Sequence, residues 1–314
     1  MTPTPPEPRE DPGRCESVVD SEVPAAVRVQ NLAVDIPHPR SRYRAPTSAL
    51  SDVSLTAPQG RITAVVGTNG AGKSTTAHTL TGALRPRAGR VEVLGMEMGA
   101  SELPCPPGVG LVPDQPLLPD EWTAQDVIRL RARMGDEFDA DGFLQMLRGS
   151  GIRRRAMLRS LSAGQVALFS LAHALATDPR LLLLDEPFAR LDPLARSELI
   201  YRFRDRLAED DSRSILLMTH DLEGMERYVD QIAVLHRGRT ILEGAVDALL
   251  EEHLVAATPT HGTSGRESEA GGVRESLIRA EDAVGLAAGT ALREAGLGDL
   301  VRLSLSAAKT EEPR

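Results

Sequence analysis

Eight residues constrain this chain more than any others: Gly67-Thr68-Asn69-Gly70-Ala71-Gly72-Lys73-Ser74, placed between the apolar run 62–66 and a helical pattern. They fit G-x-x-x-x-G-K-[ST], and a strand on one side with a helix on the other is the setting that gives the motif meaning. Glycines let the backbone turn so that successive N–H groups converge on an anion at a helix N-terminus. Lys73 can extend its ammonium to the outer phosphates of a ligand, and Ser74 can offer a hydroxyl to Mg2+. Composition sharpens the point, because of the 36 basic residues only Lys73 and Lys309 are lysine. The arginine excess, beside abundant Ala, Gly and Pro, is a bias of base composition. The lysine retained at 73 sits where a compact point charge must fit inside a backbone loop, a place unsuited to a planar, forked guanidinium.

The surrounding pattern is that of an α/β protein. Residues 62–66, 181–184 and 215–218 are continuous apolar runs, as strands buried on both faces of a parallel sheet require. Further strands are predicted at 27–34, 53–55, 91–94, 109–112 and 231–236, and helices at 73–84, 163–176, 193–210 and 222–229. Strands with helices between them define the α/β class. Residues 120–160 have helical periodicity and an arginine-rich face, which predicts a helical insertion. Residues 1–24 hold six prolines and several acids and read as a disordered tail. From 258 to 272 the chain turns to Ser, Gly and Thr, a linker composition. Beyond it Leu300, Val301, Leu303 and Leu305 predict a small appended element.

The net charge of −9 over 314 residues argues against general nucleic-acid binding, which needs a basic excess. Two cysteines, Cys15 and Cys105, make no disulfide framework and point to a reducing compartment. No run approaches the roughly 18 apolar residues of a membrane span. The acid- and proline-rich start is unlike a signal peptide. The expectation is a soluble, cytoplasmic chain that can still dock on a membrane protein.

A second half of the phosphate site follows the run 181–184. Asp185-Glu186-Pro187 puts two carboxylates at the C-terminal end of a strand, where α/β sheets place their ligands. Asp185 suits Mg2+, directly or through water, and Glu186 can polarise an attacking water.

Three further motifs carry a family resemblance. Leu161-Ser162-Ala163-Gly164-Gln165, twenty residues before Asp185, resembles the LSGGQ signature of ABC-type ATPases. Leu191-Asp192-Pro193 resembles their D-loop, and Thr219-His220-Asp221 their switch histidine. With the loop and the two acids this makes five motifs in register over roughly residues 25–250, so the chain resembles the ATP-binding subunit of an ABC transporter. The resemblance implies a P-loop NTPase fold of ABC type, with an N-terminal antiparallel β subdomain and a helical subdomain at about 115–165. The remaining residues, 251–314, are then linker and small C-terminal extension. It also implies a head-to-tail dimer sandwiching two ATP molecules. In that dimer Gly67, Asn69, Gly70, Ala71, Gly72, Lys73, Ser74 and Thr75 of one subunit, with Ser162, Gly164 and Gln165 of the other, bind the nucleotide. Glu186, His220 and Lys73 are the catalytic residues, Asp192 links the two sites, and Ser74 and Asp185 hold Mg2+.

Some positions depart from the family pattern. Ala163 replaces a glycine, Val166-Ala167-Leu168-Phe169 is more apolar than usual, and Arg190 stands where a small residue is usual. At the Q-loop Asp114 takes the usual glutamine position and Gln115 follows it, so either can serve as the Mg2+ ligand. Tyr43 lies about where the family places its adenine-stacking aromatic. Trp122 is either an anchor for a membrane subunit or core of the helical insertion, while Arg153, Arg154, Arg155 and Arg159 form a basic face, read foremost as solvated. The implied function is ATP hydrolysis powering a transporter, of bacterial exporter type, with partners ATP, a multi-span permease and a second ATP-binding subunit, and no nucleic acid. Its place is the inner face of the cell membrane, held there through the permease. The alternative is a soluble ABC-type ATPase without a transport role, or an ATP-binding regulatory protein. A single ATP domain without sustained heptads disfavours the first, and the presence of Glu186 disfavours the second.

Overall fold

The continuous apolar runs become the centre of one large sheet. The computed structural model describes residues 24–37, 47–99, 105–135, 137–189, 191, 193–259, 273–286 and 289–310. In chain order the elements begin with β1 (Ala25–Ile36), β2 (Thr47–Pro58), β3 (Ile62–Gly67), α1 (Lys73–Leu80), β4 (Ala88–Val93), β5 (Met96–Glu97) and β6 (Val109–Val112). Three helices follow, α2 (Ala124–Met134), α3 (Ala140–Gly149) and α4 (Ala163–Leu175). Next come β7 (Leu181–Asp185), α5 (Pro193–Glu209), β8 (Ser214–Thr219), β9 (Gln231–His236), β10 (Arg239–Ala245) and α6 (Val246–Glu252). The C-terminal part holds β11 (His253–Pro259), β12 (Val273–Arg279), β13 (Ala291–Glu294) and α7 (Leu297–Thr310).

Ten strands form a sheet in the order β5-β4-β1-β2-β10-β9-β3-β8-β7-β6. Its β9-β3-β8-β7-β6 side is parallel throughout, and β3, β7 and β8 are buried at every position. Its β5-β4-β1-β2 side is antiparallel. This is the P-loop NTPase arrangement of ABC type with its antiparallel β subdomain.

Residues 120–160 are helical as expected, and with α4 they enclose a separate core of Val127, Phe143, Leu147 and Phe169. Thr123 and Asp126 cap α2 reciprocally: the Asp126 N–H donates to the Thr123 hydroxyl, and the Thr123 N–H to the Asp126 carboxylate at 2.9 Å. Trp122 is half-buried against this core, and Arg153, Arg154, Arg155 and Arg159 are exposed.

The sequence pattern misleads in a few places. No helix forms over 222–229, only a 3-10 turn at Glu226–Tyr228, because Gly224 takes a left-handed φ of 76°. Helix α1 stops at Leu80, just before Gly82 with φ 75°. Strand β11 runs into the segment that reads as linker, and 260–272 lie outside the described residues. β11 lies between β12 and β13, and Val255, Leu297, Leu300 and Leu303 join the same buried cluster as Ile62, Ala64, Ile232 and Val234. The C-terminal residues thus share one core with the central sheet, which periodicity alone does not reveal.

His173 of α4 accepts hydrogen bonds from Arg131 Nε at 3.2 Å and pairs with its Nη2 at 3.0 Å. Burial, aided by that guanidinium, lowers its pKa to about 4. A histidine depressed in the folded state binds fewer protons there than when unfolded, so stability must fall with falling pH. Thermal melts should therefore lose stability as pH drops from about 6.5 towards 4, an effect removed in His173→Phe; equal pH profiles for both proteins would contradict the assignment.

Candidate nucleotide-binding site

The phosphate loop leaves the C-terminal end of β3, where two close approaches explain its glycines. A Cβ on Gly67 would lie 2.5 Å from the Leu235 carbonyl oxygen. Gly72 has φ 113°, and a Cβ there would collide with the Leu50 side chain. The loop closes on itself through Ala71 N–H to the Thr68 carbonyl at 3.0 Å. It is stapled to the β9–β10 hairpin by Gly238 N–H to the Ala71 carbonyl at 2.8 Å. Helix α1 starts at Lys73 with Gly72 as its cap, so its N-terminal N–H groups and dipole face the loop's concavity.

The Lys73 ammonium donates to the Gly67 carbonyl at 2.8 Å and to that of Thr68 at 3.4 Å. It also pairs with Glu186 Oε1 at 3.2 Å, where the lysine is 6% and the glutamate 15% exposed. Glu186 follows the last residue of β7 with a left-handed φ of 49°, held by its N–H to the Met218 carbonyl at 2.8 Å. Such backbone costs about 1–3 kcal/mol and survives only where its surroundings over-determine it. Its other oxygen lies 2.8 Å from His220 Nδ1 and also faces the Thr219 hydroxyl and the His220 N–H, each at 3.4 Å. Lys73, Glu186 and His220 thus form one connected chain across the ends of three parallel strands.

Asp185 is buried at the end of β7. Burial raises the pKa of its carboxyl, a hydrogen bond from Ser74 opposes that, nearby Glu186 and Asp114 reinforce it, and Lys73 opposes it. Its Oδ1 has no hydrogen-bond partner, which in a buried carboxylate calls for a further ligand. A hard divalent cation takes oxygen donors, and the Ser74 hydroxyl beside this free carboxylate oxygen fits one.

A cavity of about 520 Å³ gathers Asn69, Gly70, Gly72, Lys73, Ser74 and Thr75 with Asp114 and Glu186. Asp114 is on its wall. Gln115 stands beside Asp114, donating to its carboxylate at 3.3 Å, and does not line the cavity. Two groups on the wall escape sequence reasoning: the start of β2, at Thr47, Ser48 and Ala49, and Arg237 in the β9–β10 turn. Arg-Gly at 237–238 signals a hairpin but says nothing of what that hairpin touches.

Ser162, Gly164 and Gln165 do not line this cavity. Ser162 caps α4, accepting from the Gln165 N–H at 3.2 Å, while Gln165 Oε1 accepts from the Ser162 N–H at 3.1 Å. They sit on the surface, where they can face a second molecule. Tyr43, Arg190 and Asp192 lie outside the described residues.

A loop of this geometry at the end of a parallel strand, with a buried lysine and two acids at the end of a second parallel strand of the same sheet, defines a P-loop nucleotide-binding protein. The family described as ABC transporter matches residues 50–189. Over 210 residues the chain is 36% identical to Nod factor export ATP-binding protein I of Rhizobium sp. (strain N33), covering 65% of this chain and 68% of the relative. The namesake protein of Bradyrhizobium diazoefficiens is 33% identical over 233 residues, 73% of this chain and 75% of its own. A solved ATP-binding subunit of an ABC transporter superposes with TM-score 0.60 at 30% identity, covering 71% of this chain and 91% of that one. The chain belongs to the ABC transporter family, as an ATP-binding subunit, an ATPase that powers transport.

Among the described residues no helix is long and apolar enough to cross a membrane. Replacing Lys73 by alanine should weaken ATP binding about ten- to a hundredfold, the loss of about 1.5–3 kcal/mol expected for hydrogen bonds to a charged group. An equilibrium titration giving native affinity would count against the loop as the phosphate site.

Proposed function

We propose that the chain hydrolyses Mg2+-bound ATP to drive a bacterial ABC exporter, seated on the inner face of the cell membrane through a multi-span permease. The observation that carries this reading is Glu186, which lines the same cavity as the phosphate loop and is paired there with Lys73 on one side and His220 on the other. Export is favoured by the similarity to the Nod factor export ATP-binding proteins. The domain division that goes with it is 25–250 for the ATP-binding domain and 251–314 for the extension.

In this reading the loop N–H groups, with Asn69, Gly70 and Thr75, hold the phosphates, and Lys73 neutralises charge on the β- and γ-phosphates. Ser74 and Asp185, with Asp114 as the Q-loop ligand, would hold Mg2+, which would supply further charge neutralisation. Glu186 accepts the proton of the attacking water as its oxygen bonds to the γ-phosphorus and the bond to the β-phosphate oxygen breaks. His220, hydrogen-bonded to Glu186, contacts the γ-phosphate in this reading. Tyr43 stacks on the adenine.

Ser162, Gly164 and Gln165 engage the γ-phosphate bound to a second subunit, and Asp192 communicates across the interface. The reading is supported by the place of Ser162, Gly164 and Gln165 at a helix N-terminus away from their own chain's cavity, with Ser162 exposed. ATP then favours the closed dimer because it touches both halves only there, and loss of the γ-phosphate removes that preference.

Glu186→Gln should bind ATP yet hydrolyse it at least ~100-fold more slowly, the usual effect of removing a general base. Phosphate release at the native rate would remove Glu186 from the role.

A further inference from the structure

The fold carries the second of the two lysines, Lys309, to the phosphate loop that precedes the first. Helix α7 spans roughly 21 Å at 1.5 Å per residue, and both its course and its direction are fixed. Leu300 and Leu303 are buried in the cluster that contains Ile232 and Val234 of β9. At its N-terminal end Arg293 of β13 and Arg302 each pair with Asp299 and with Glu275 of β12, at 2.5 to 3.1 Å. Asp299 also accepts from the Gly296 N–H at 3.1 Å. These bonds, that from Arg293 foremost, hold the Asp299 carboxyl well below the usual carboxylate range. The helix is therefore clamped at its start and along its apolar face, and its last turn is delivered to one place.

That place is the outer side of the phosphate loop. A cavity of about 590 Å³ is lined by residues 68–71 of the loop, by His236 and Arg237 of the β9–β10 turn, and by Lys309 of α7. It shares Asn69, Gly70 and Arg237 with the cavity that Lys73 lines, so the two adjoin across the loop. No described carboxylate lines it. Lys309 is exposed and makes no ion pair among the described residues. Two cations beside a phosphate-binding loop make a wall suited to phosphate oxygens.

We propose that Lys309 is a second phosphate-binding ammonium of the ATP site, brought by the C-terminal extension to the outer side of the phosphate loop. The extension is then part of the nucleotide site rather than an appendage, and its docking and nucleotide binding support each other. The inference rests on the phosphate loop being the ATP site.

The test is calorimetric titration of the full chain with ATP, ADP and AMP, comparing the native protein with Lys309→Gln, Lys309→Arg and Lys73→Ala. For Lys309→Gln, ATP affinity should fall about fivefold, as for a solvent-exposed charge pair at the upper end of its range. The loss should be smaller for ADP and absent for AMP, and the affinity should depend less on salt. Lys309→Arg should keep most of the affinity, and the melting temperature should not change, since the side chain is exposed. Native ATP affinity in Lys309→Gln, with binding lost in Lys73→Ala, overturns the role of Lys309 and leaves the phosphate loop intact. Native affinity in Lys73→Ala overturns the loop reading itself. Inorganic phosphate is titrated alone as well: binding that needs Lys309 while ATP affinity stays native would assign the cavity to a free anion and overturn the proposal.

Discussion

The ammonium of Lys73 holds two structures together that the chain brings from positions more than a hundred residues apart. On one side it donates to the Gly67 carbonyl that ends β3, and on the other it pairs with Glu186 beyond β7. Both partners are nearly withdrawn from water, where charge interactions are stronger and an uncompensated ion is expensive. Removing either partner therefore does more than delete a contact, because it leaves the other charge poorly solvated. This pairing is why the phosphate loop and the two acids act as one site.

The parallel sheet makes such a site possible. β3, β7 and β8 are buried on both faces, so packing on each side fixes where their ends stop. The phosphate loop, the Asp185–Glu186 pair and Thr219–His220 all emerge from the same C-terminal edge, with Asp114 two residues beyond β6. Ligands of open α/β sheets bind at this edge. The strain at Glu186 belongs to the same arrangement: a left-handed residue directly after the strand turns its carboxylate into the cavity while Asp185 remains buried beside Ser74.

The loop, both acids and the central strands were legible because they rest on local rules. Continuous apolar runs mark doubly buried strands, and a glycine-rich loop before a lysine marks a phosphate cradle. Where a residue's role depends on what a distant segment brings to it, the sequence is silent. Arg237 lines the cavity only because its hairpin packs on the loop. Whether Asp114 or Gln115 faces the site depends on how the chain leaves β6. The strands β10 to β13, from half-buried β10 to fully exposed β13, carry no strong common period, yet their pairing sets the course of α7. The false helix at 222–229 is the opposite failure, apolar spacing overruled by one left-handed glycine.

Position 73 requires the geometry of an ammonium and not merely a positive charge. The decisive measurement is ATP affinity and turnover of Lys73→Arg, a change that conserves charge in a chain that otherwise prefers arginine. A planar guanidinium is larger and presents its donors in a fixed fork, so it does not fit between the Gly67 carbonyl, Glu186 and the loop. Hydrolysis should fall nearly as far as in the alanine variant, by more than about tenfold, the rate equivalent of about 1.4 kcal/mol. Native turnover with arginine at 73 would contradict the account.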